Sequence, residues 1–174
     1  PLGLCTVAAM LPGDWELRLV DRNVATLSER DLDWADIVLT GGMLPQQLDC
    51  LEVIRNARAR GKKVIVGGPD PTSSPRVYAE ADHLILGEAE VTLPPFLADL
   101  QAGTPRHTYE SPEKADVSKS PTPRFDLLRF DSYNHIGVQW CRGCPFNCEF
   151  CDIIELFGRV PRAKGTEQML KELQ

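Results

Sequence analysis

Four of the six cysteines in this 174-residue chain lie close together, at positions 141, 144, 148 and 151. Cys144, Cys148 and Cys151 have the spacing C-x3-C-x2-C, and three thiolates on one short loop can bind three irons of a [4Fe–4S] cluster. The fourth iron then keeps an open position for a substrate or cofactor, as a catalytic zinc does. Phe150, directly before the third cysteine, is placed to stack on a nucleobase. Clustered rather than spread cysteines indicate a metal site, not a disulfide framework.

The other cysteines need separate interpretations. Cys141 extends the pattern to C-x2-C-x3-C-x2-C, which is also compatible with a four-thiolate zinc site or a closed electron-transfer cluster. We expect Cys141 not to be a ligand. Cys5 and Cys50 stand alone in apolar surroundings, and we expect both to be core thiols.

The elements before the cysteines alternate between strand and helix. The strands are short and apolar on both faces, which predicts a parallel sheet covered by helices, a Rossmann-like (flavodoxin-like) doubly wound α/β fold. Because the chain opens on a helix, we expect a first, central strand upstream of Pro1. The predicted strands are 15–20, 36–40, 63–66, 83–86 and 136–140, and the predicted helices are 2–11, 46–60, 75–81, 92–102 and 166–174.

Three predicted strands end in glycine-containing triplets. They are Thr40-Gly41-Gly42, Val66-Gly67-Gly68 and Leu86-Gly87-Glu88. Ligands of open α/β sheets bind at the carboxyl ends of the strands, and glycine there lets a flat ligand approach the backbone. The alternative is that the glycines serve tight turns only. His83, at the start of a strand, is expected to be structural.

The remainder of the chain differs in composition. Residues 104–123 are polar and rich in proline, which predicts a linker. After the cysteines we expect Arg159, Arg162 and Lys164 to form a solvated basic loop and Thr166 to cap the last helix. The net charge of −6 argues against nucleic-acid binding. No apolar stretch approaches the roughly 18–20 residues that span a bilayer, and with no signal peptide we expect a cytoplasmic protein.

The cysteine segment resembles the radical S-adenosylmethionine (radical SAM) superfamily. The matching residues are Cys144-Pro145-Phe146-Asn147-Cys148-Glu149-Phe150-Cys151, flanked by Arg142-Gly143 and Asp152-Ile153. The resemblance implies a cluster that chelates S-adenosylmethionine, takes an electron from an external donor (flavodoxin or ferredoxin) and releases a 5′-deoxyadenosyl radical. It also implies that 124–174 begins a partial β/α (TIM-like) barrel, which needs on the order of 200 residues. This chain alone is therefore expected to be inactive.

The region before the cysteines resembles the cobalamin-binding radical SAM enzymes. The matching segments are 19–23, 40–43, 67–73 and 86–90, and Phe157-Gly158-Arg159-Val160-Pro161-Arg162 is similar to the subgroup that includes hopanoid methylases. The resemblance implies a cobalamin domain over 1–103 and base-off cobalamin, since the D-x-H-x-x-G signature is absent. It further implies methyl transfer to an unactivated carbon of a small molecule or lipid, although some relatives catalyse ring closure instead. The implied cobalamin contacts are Asp21, Thr40, Gly41, Gly42, Met43, Gly67, Gly68, Pro69, Gly87 and Glu88.

Two alternatives remain open from the sequence. Radical methylthiotransferases also carry an α/β domain ahead of the cluster, but that domain binds a second cluster through three cysteines, and here it offers only Cys5 and Cys50. The other alternative is a non-enzymatic cobalamin- or nucleotide-binding module whose cysteines hold a structural zinc.

Overall fold

The computed structural model describes residues 1–174, which form two compact units. The first, here called the sheet unit, is Thr26–Glu113. The second, the cluster-loop unit, combines Pro1–Ala25 with Lys114–Gln174. These units group the residues differently from the predicted ranges 1–103, 104–123 and 124–174, because the first 25 residues pack with the C-terminal part of the chain.

The sheet unit contains a four-stranded parallel sheet with the strands in sequential order. The parallel α/β fold predicted from the sequence is therefore confirmed. Thr40 pairs with Val66 and Gly41 with Gly67, so the first two strands end level with each other. The strands are β1 (Ile37–Gly41), β2 (Lys63–Gly67), β3 (His83–Ile85) and β4 (Thr108–Tyr109).

The helices of this unit agree with the prediction only in part. The helix predicted over 46–60 forms, but the helices at 29–34 and 69–73 were not predicted, and of the helix predicted over 75–81 only Pro75–Tyr78 is helical, as a 3₁₀ turn. The last helix of the unit begins at Ala89 rather than 92. The helices are α2 (Glu29–Trp34), α3 (Gln47–Ala59), α4 (Pro69–Ser73) and α5 (Ala89–Gln101), with a 3₁₀ turn at Leu44–Gln46.

Both faces of the sheet are buried, as continuous apolar strands require. On one face, alternate residues of β2 and the β3 region form a core with α3. On the other, the Phe96 ring of α5 lies 5.1 Å from the His83 ring and 5.4 Å from the Tyr109 ring, centroid to centroid. The first core includes Cys50, Ile54, Ala57, Val64, Val66, Leu84 and Leu86.

The cluster-loop unit has little regular structure. Its elements are α1 (Leu2–Ala8), β5 (Cys141–Arg142), α6 (Ile153–Phe157), β6 (Arg162–Ala163), α7 (Thr166–Leu173) and 3₁₀ turns at Val117–Lys119, Phe125–Leu127 and Phe130–Ser132. The cap of α7 is Gly165, so Thr166 is the first helical residue and not the predicted N-cap. No helix in the chain combines the length and apolarity needed to cross a membrane.

Two predicted strands of this unit are wrong. Residues 15–20 alternate in exposure, as a strand would, but they pair with no other strand. Residues 136–140 are irregular, and the backbone enters a ladder only at Cys141, where β5 pairs antiparallel with β6. Gly137 and Gln139 interrupt the apolar run of this segment. Trp140, its last residue, is exposed, and its indole N–H donates to the Lys164 carbonyl at 3.1 Å.

The segment predicted as a linker, 104–123, is largely anchored. β4 lies within it and extends the sheet through pairing with β3, and Tyr109 is buried. Further along, Val117 and Ser120 are buried, and their carbonyls accept hydrogen bonds from the Gln168 amide at 3.0 and 2.8 Å. The polar composition thus conceals a strand and a packed turn.

Candidate functional site

The loops that follow β1, β2 and β3 lie along one edge of the sheet unit. Register places Gly41 beside Gly67 and Gly67 beside Ile85, so the three strands deliver their loops to the same edge. We call the residues 41–44, 67–70 and 86–88 the edge loops. In a parallel sheet this carboxyl edge is the usual ligand position.

Strand packing and turn geometry explain four of the glycines. A Cβ on Gly41 would lie 1.9 Å from the Gly67 carbonyl oxygen, and one on Gly67 would lie 2.8 Å from the Ile85 oxygen. Gly68 and Gly87 have φ of +106° and +81°, which disfavours any other residue. Backbone geometry alone therefore explains why these four positions are glycine. Their contact with a ligand stays a prediction.

Large apolar side chains are exposed around the first edge loop. Met43, Leu44 and Leu48 are 57%, 69% and 77% exposed, and all three lie in or next to the connection between β1 and α3. Large apolar side chains exposed close together in the chain indicate a binding surface. Of these three residues only Met43 was a predicted cobalamin contact, because Leu48 matched the apolar pattern of the helix and Leu44 stood outside any motif.

A network of buried and half-buried polar groups joins the edge loops to each other, and the sequence analysis missed it. The backbone N–H of Asp70 donates to the Gly42 carbonyl at 3.1 Å. The Thr72 hydroxyl donates to the Gly68 carbonyl at 2.7 Å and accepts from the Gly87 N–H at 2.9 Å. Both residues lie within the segment 67–73 that carried the family resemblance, but their contacts depend on folding.

Asp21 is not in the unit that carries the edge loops. It lies in the cluster-loop unit, where its carboxylate accepts bonds from the Asn23 N–H (3.0 Å), the Asn23 side chain (2.7 Å) and the Tyr133 hydroxyl (2.7 Å). Burial opposes the charged form, but these hydrogen bonds hold the pKa of Asp21 below its ordinary value. The carboxylate is thus already well satisfied within its own unit.

His83 is structural, in agreement with the expectation. It is buried in β3, one ring nitrogen lies 2.7 Å from the Arg106 carbonyl, and the ring packs against Phe96. These contacts leave His83 committed to the core rather than to a metal. The carboxylate-bearing Glu88 of the third edge loop is also buried, at the start of α5.

The predicted iron ligands lie on one loop between β5 and α6. Cys144 and Cys151 are half-buried, Cys148 is exposed, and all three thiols are free. The Cys144 N–H donates to the Gly158 carbonyl at 3.1 Å, and the Cys151 N–H donates to the Cys148 carbonyl at 3.2 Å. The structure does not gather three side chains of the metal-binding types into one group. Phe150 is 91% exposed and thus open to stacking.

The solvated basic loop that we predicted after the cysteines is only partly confirmed: Arg159 is exposed, but Arg162 is half-buried and Lys164 is buried. Arg159 donates to the Asn147 side chain at 2.9 Å, within the cysteine loop. Arg162 donates to the carbonyls of Ala115 and, at 2.8 Å, Phe157. The Lys164 ammonium is buried against Glu172 at 2.5 Å. Arg162 thus links two backbone segments, and Lys164 forms a buried ion pair; the charge pattern predicts neither contact.

The remaining cysteines have different surroundings. Cys141 is in β5, at the wall of an open hollow of about 600 Å³ that Tyr133, His135 and Trp140 also line. Cys5 and Cys50 are buried in different units, and burial raises the pKa of the Cys5 thiol. Both were expected to be core thiols, and their burial agrees with that.

Comparison with known proteins gives a family match. Residues 1–97, more than half of the chain, match the family described as B12 binding domain. The chain is 51% identical over 99% of its length to an uncharacterized methyltransferase of Synechocystis sp., and it covers 33% of that protein. It is 34% identical to the hopanoid C-2 methylase of Rhodopseudomonas palustris, with 99% of this chain and 34% of the methylase aligned.

A third relative is more distant. An uncharacterized methyltransferase of Pyrococcus horikoshii is 27% identical over 99% of this chain and 45% of its own length. The chain therefore spans between about a third and less than half of the curated relatives that it matches.

Proposed function

Because the chain belongs to the B12-binding domain family, we propose that it is the cobalamin- and cluster-binding part of a radical SAM methyltransferase. The observation that carries the proposal is the coincidence of that family match with three parallel strands whose edge loops meet at one edge. The relatives named as methyltransferases support methylation as the reaction class.

The edge loops fit the chemistry of a flat, largely apolar macrocycle. The first loop presents Met43 and Leu44 as exposed apolar contacts, with Leu48 of α3 beside them. A Cβ on Gly87 would meet only the Ser111 carbonyl oxygen, at 4.0 Å, so a ring can approach the backbone closely there. We assign the cobalamin contacts to Thr40, Gly41, Gly42, Met43, Gly67, Gly68, Pro69, Gly87 and Glu88 of the sheet unit. The contact expected of Asp21, which lies in the cluster-loop unit, stays a prediction. With His83 committed to the Arg106 carbonyl, the cobalt would have no histidine ligand from β3.

The cysteine loop fits an iron–sulfur cluster through its donor set. Cys144, Cys148 and Cys151 supply three unpaired thiols from one short loop. We assign the cluster to these three, and we leave Cys141 out because it precedes the loop in the β5–β6 ladder. Phe150, exposed next to the last cysteine, is assigned to stacking on the adenine of S-adenosylmethionine.

When bound, the cluster supplies the electron that cleaves S-adenosylmethionine, and cobalamin supplies the methyl carrier. The chain's own residues bind and orient these groups. Low-potential electron transfer and free thiols both suit a reducing compartment, so we place the protein in the cytoplasm with flavodoxin or ferredoxin as donor. By similarity to the hopanoid C-2 methylase, we propose a lipid or other small apolar substrate, methylated at an unactivated carbon.

Two alternatives are less well supported. A methylthiotransferase would need a second cluster in the first part of the chain, where Cys5 and Cys50 are buried and belong to different units. A zinc module would need a fourth thiol, and Cys141 is the one available neighbour in the sequence.

Anaerobic reconstitution of the chain with iron, sulfide and hydroxocobalamin tests the proposal. We expect a broad iron–sulfur absorption band, about four irons per chain, and shifted corrin bands on cobalamin binding. Cys148→Ala should lose the iron–sulfur band, whereas the matched Cys141→Ala should keep it. A colourless protein that binds one zinc and is indifferent to cobalamin would contradict the proposal, and loss of the cluster in Cys141→Ala would contradict the ligand assignment.

A further inference from the structure

We propose that Asp70 and Thr72 are positioning residues for cobalamin, which set the relative heights of the three edge loops without touching the cofactor. The inference rests on the proposed function, because it assumes that the edge loops bind cobalamin. Both residues belong to α4, a single helical turn that begins within the second edge loop. Residues two apart on a helix point to different sides, so one turn can reach a neighbour on each side.

On the first side, Asp70 connects the second edge loop to the first and to α3. Its N–H donates to the Gly42 carbonyl at 3.1 Å. Its Oδ2 accepts a bond from the Gln47 side chain at 3.0 Å and a second, short one from the Tyr78 hydroxyl. Asp70 is 6% exposed, and Tyr78 is fully buried. Burial and the bond to Asp70 raise the pKa of Tyr78, so the phenol stays a donor at all ordinary pH values.

On the other side, Thr72 connects the second edge loop to the third. Its hydroxyl donates to the Gly68 carbonyl and accepts from the Gly87 N–H, at 2.7 and 2.9 Å. One hydroxyl thus satisfies a backbone acceptor in one loop and a backbone donor in the next. The branched Cβ of threonine restricts rotation about χ1, so the bridge has a defined length. Gly87, with φ of +81°, would otherwise be free to change its turn.

These contacts matter because a rigid macrocycle spans all three loops at once. Loops that are already at the bound spacing avoid an ordering cost on binding, so preorganisation raises affinity. A buried polar network also loses more than one bond when a single member is removed, since its partners are left unsatisfied. Removing the Thr72 hydroxyl would free the third loop. Removing the Asp70 carboxylate would leave the Gln47 amide and the buried Tyr78 hydroxyl without their acceptor, which loosens α4 and with it the bond from the Asp70 N–H to the first loop.

The test measures hydroxocobalamin affinity by anaerobic absorption titration of the 174-residue chain and four variants. We expect Thr72→Val and Asp70→Ala to raise Kd by roughly tenfold or more, the equivalent of about one lost net hydrogen bond. Thr72→Ser keeps the hydroxyl, and Asp70→Asn keeps one oxygen that can accept from both Gln47 and Tyr78. Both variants should therefore have a Kd within about threefold of that of the unaltered chain. Far-UV circular dichroism checks that each variant is folded.

Thr6→Val is the matched control. The Thr6 hydroxyl also donates to the carbonyl four residues back, that of Leu2 at 3.0 Å, but it lies in α1 of the cluster-loop unit. We expect an unchanged Kd. An equal loss of affinity in Thr6→Val and Thr72→Val would overturn the positioning role. So would a Thr72→Ser variant that loses as much affinity as Thr72→Val.

Hydrogen exchange of the Gly87 amide gives a readout that does not depend on cobalamin binding. We expect slow exchange in the unaltered chain and fast exchange in Thr72→Val, with or without cobalamin. Fast exchange in the unaltered chain would overturn the inference. An unaltered chain with a protected Gly87 amide that does not bind cobalamin would instead contradict the proposed function, and cobalamin binding that tolerates both Thr72→Val and Asp70→Ala would contradict only the inference.

Discussion

The side chains of Lys164 and Glu172 form a buried ion pair in the cluster-loop unit. Their Nζ and Oε1 atoms are 2.5 Å apart, and the side chains are 5% and 0% exposed. The other Glu172 oxygen is buried without a partner. Loss of one member of a buried pair leaves an uncompensated charge, so we expect Lys164→Met to lower the free energy of unfolding by about 3–5 kcal/mol, measured by urea denaturation.

An exposed pair provides the control for this substitution. Lys119 and Asp116 are 3.1 Å apart with side chains 82% and 54% exposed, and solvent screens such pairs. Lys119→Met should therefore change stability little, and the double variant Lys164→Met/Glu172→Leu should recover most of the loss. Equal effects of the two lysine substitutions would show that Lys164 is not held in a dry site.

The stability of the cluster-loop unit should also depend on pH through Asp21. Burial opposes ionisation of this carboxyl, but bonds donated by Asn23 and Tyr133 outweigh it and lower its pKa. A group with a depressed folded pKa stabilises the fold above its unfolded pKa, about 3.9, and loses that contribution as the pH falls through the folded value. Asp21→Asn should therefore be less stable than the unaltered chain at pH 7, and the difference should shrink at pH 3 in urea titrations. A constant difference would rule out this linkage.

Among the elements, β1 and β2 approach each other so closely that glycine is required. A Cβ on Gly41 would lie 1.9 Å from the Gly67 carbonyl oxygen, and a backbone atom cannot move aside cheaply. We expect Gly41→Ala to lower the unfolding midpoint by the equivalent of about 1–3 kcal/mol or more.

Gly3 is the matched control for this substitution. It lies in α1, and a Cβ there would meet no atom within 4 Å. Because alanine is the better helix former, Gly3→Ala should raise stability by about 0.5–1 kcal/mol. Opposite signs for the two substitutions support the close approach of the strands, whereas two stabilising results would contradict it.

The elements also show how far the sequence could predict this fold. β1, β2 and β3 were predictable because their residues are apolar on both faces, and glycine marked where they end. The strand expected at 15–20 does not form, since a strand requires a partner that local pattern does not specify. β4 was not predicted because it lies in a polar, proline-rich segment, and its two residues form a strand only by pairing with β3. α5 begins at Ala89, three residues before the predicted start, and Pro94 and Pro95 lie inside the helix.

The candidate site was likewise predictable only in part. Glycines at strand ends and the cysteine spacing are local signals, and both could be read directly. The bridge from Thr72 to Gly87 and the contacts of Arg159 and Arg162 join residues that only the fold brings together. A charge pattern predicted solvated cations because it carries no information about which carbonyls lie nearby.

At the scale of the whole molecule, the two compact units do not follow chain order. Residues 1–25 pack with 114–174, through bonds such as that from the Arg124 N–H to the Cys5 carbonyl (3.0 Å) and from the Tyr133 hydroxyl to Asp21 (2.7 Å). Asp21 and Tyr133 are 112 residues apart in sequence. The family match over 1–97 therefore takes in parts of both units, so the effect of cobalamin is best measured on the whole chain.

A ligand that binds only the folded chain raises its stability by RT ln(1 + [L]/Kd), about 2.7 kcal/mol at one hundred times Kd. We therefore expect the midpoint of thermal unfolding to rise steadily with hydroxocobalamin concentration. Leu48→Gln should weaken this shift, since Leu48 is 77% exposed beside the first edge loop, whereas Leu170→Gln, on the 53% exposed Leu170 of α7, should not. Slower hydrogen exchange should be concentrated in the edge loops. A midpoint that does not move would contradict cobalamin binding. An equal loss of the shift in both leucine variants would contradict binding at the carboxyl edge of the sheet.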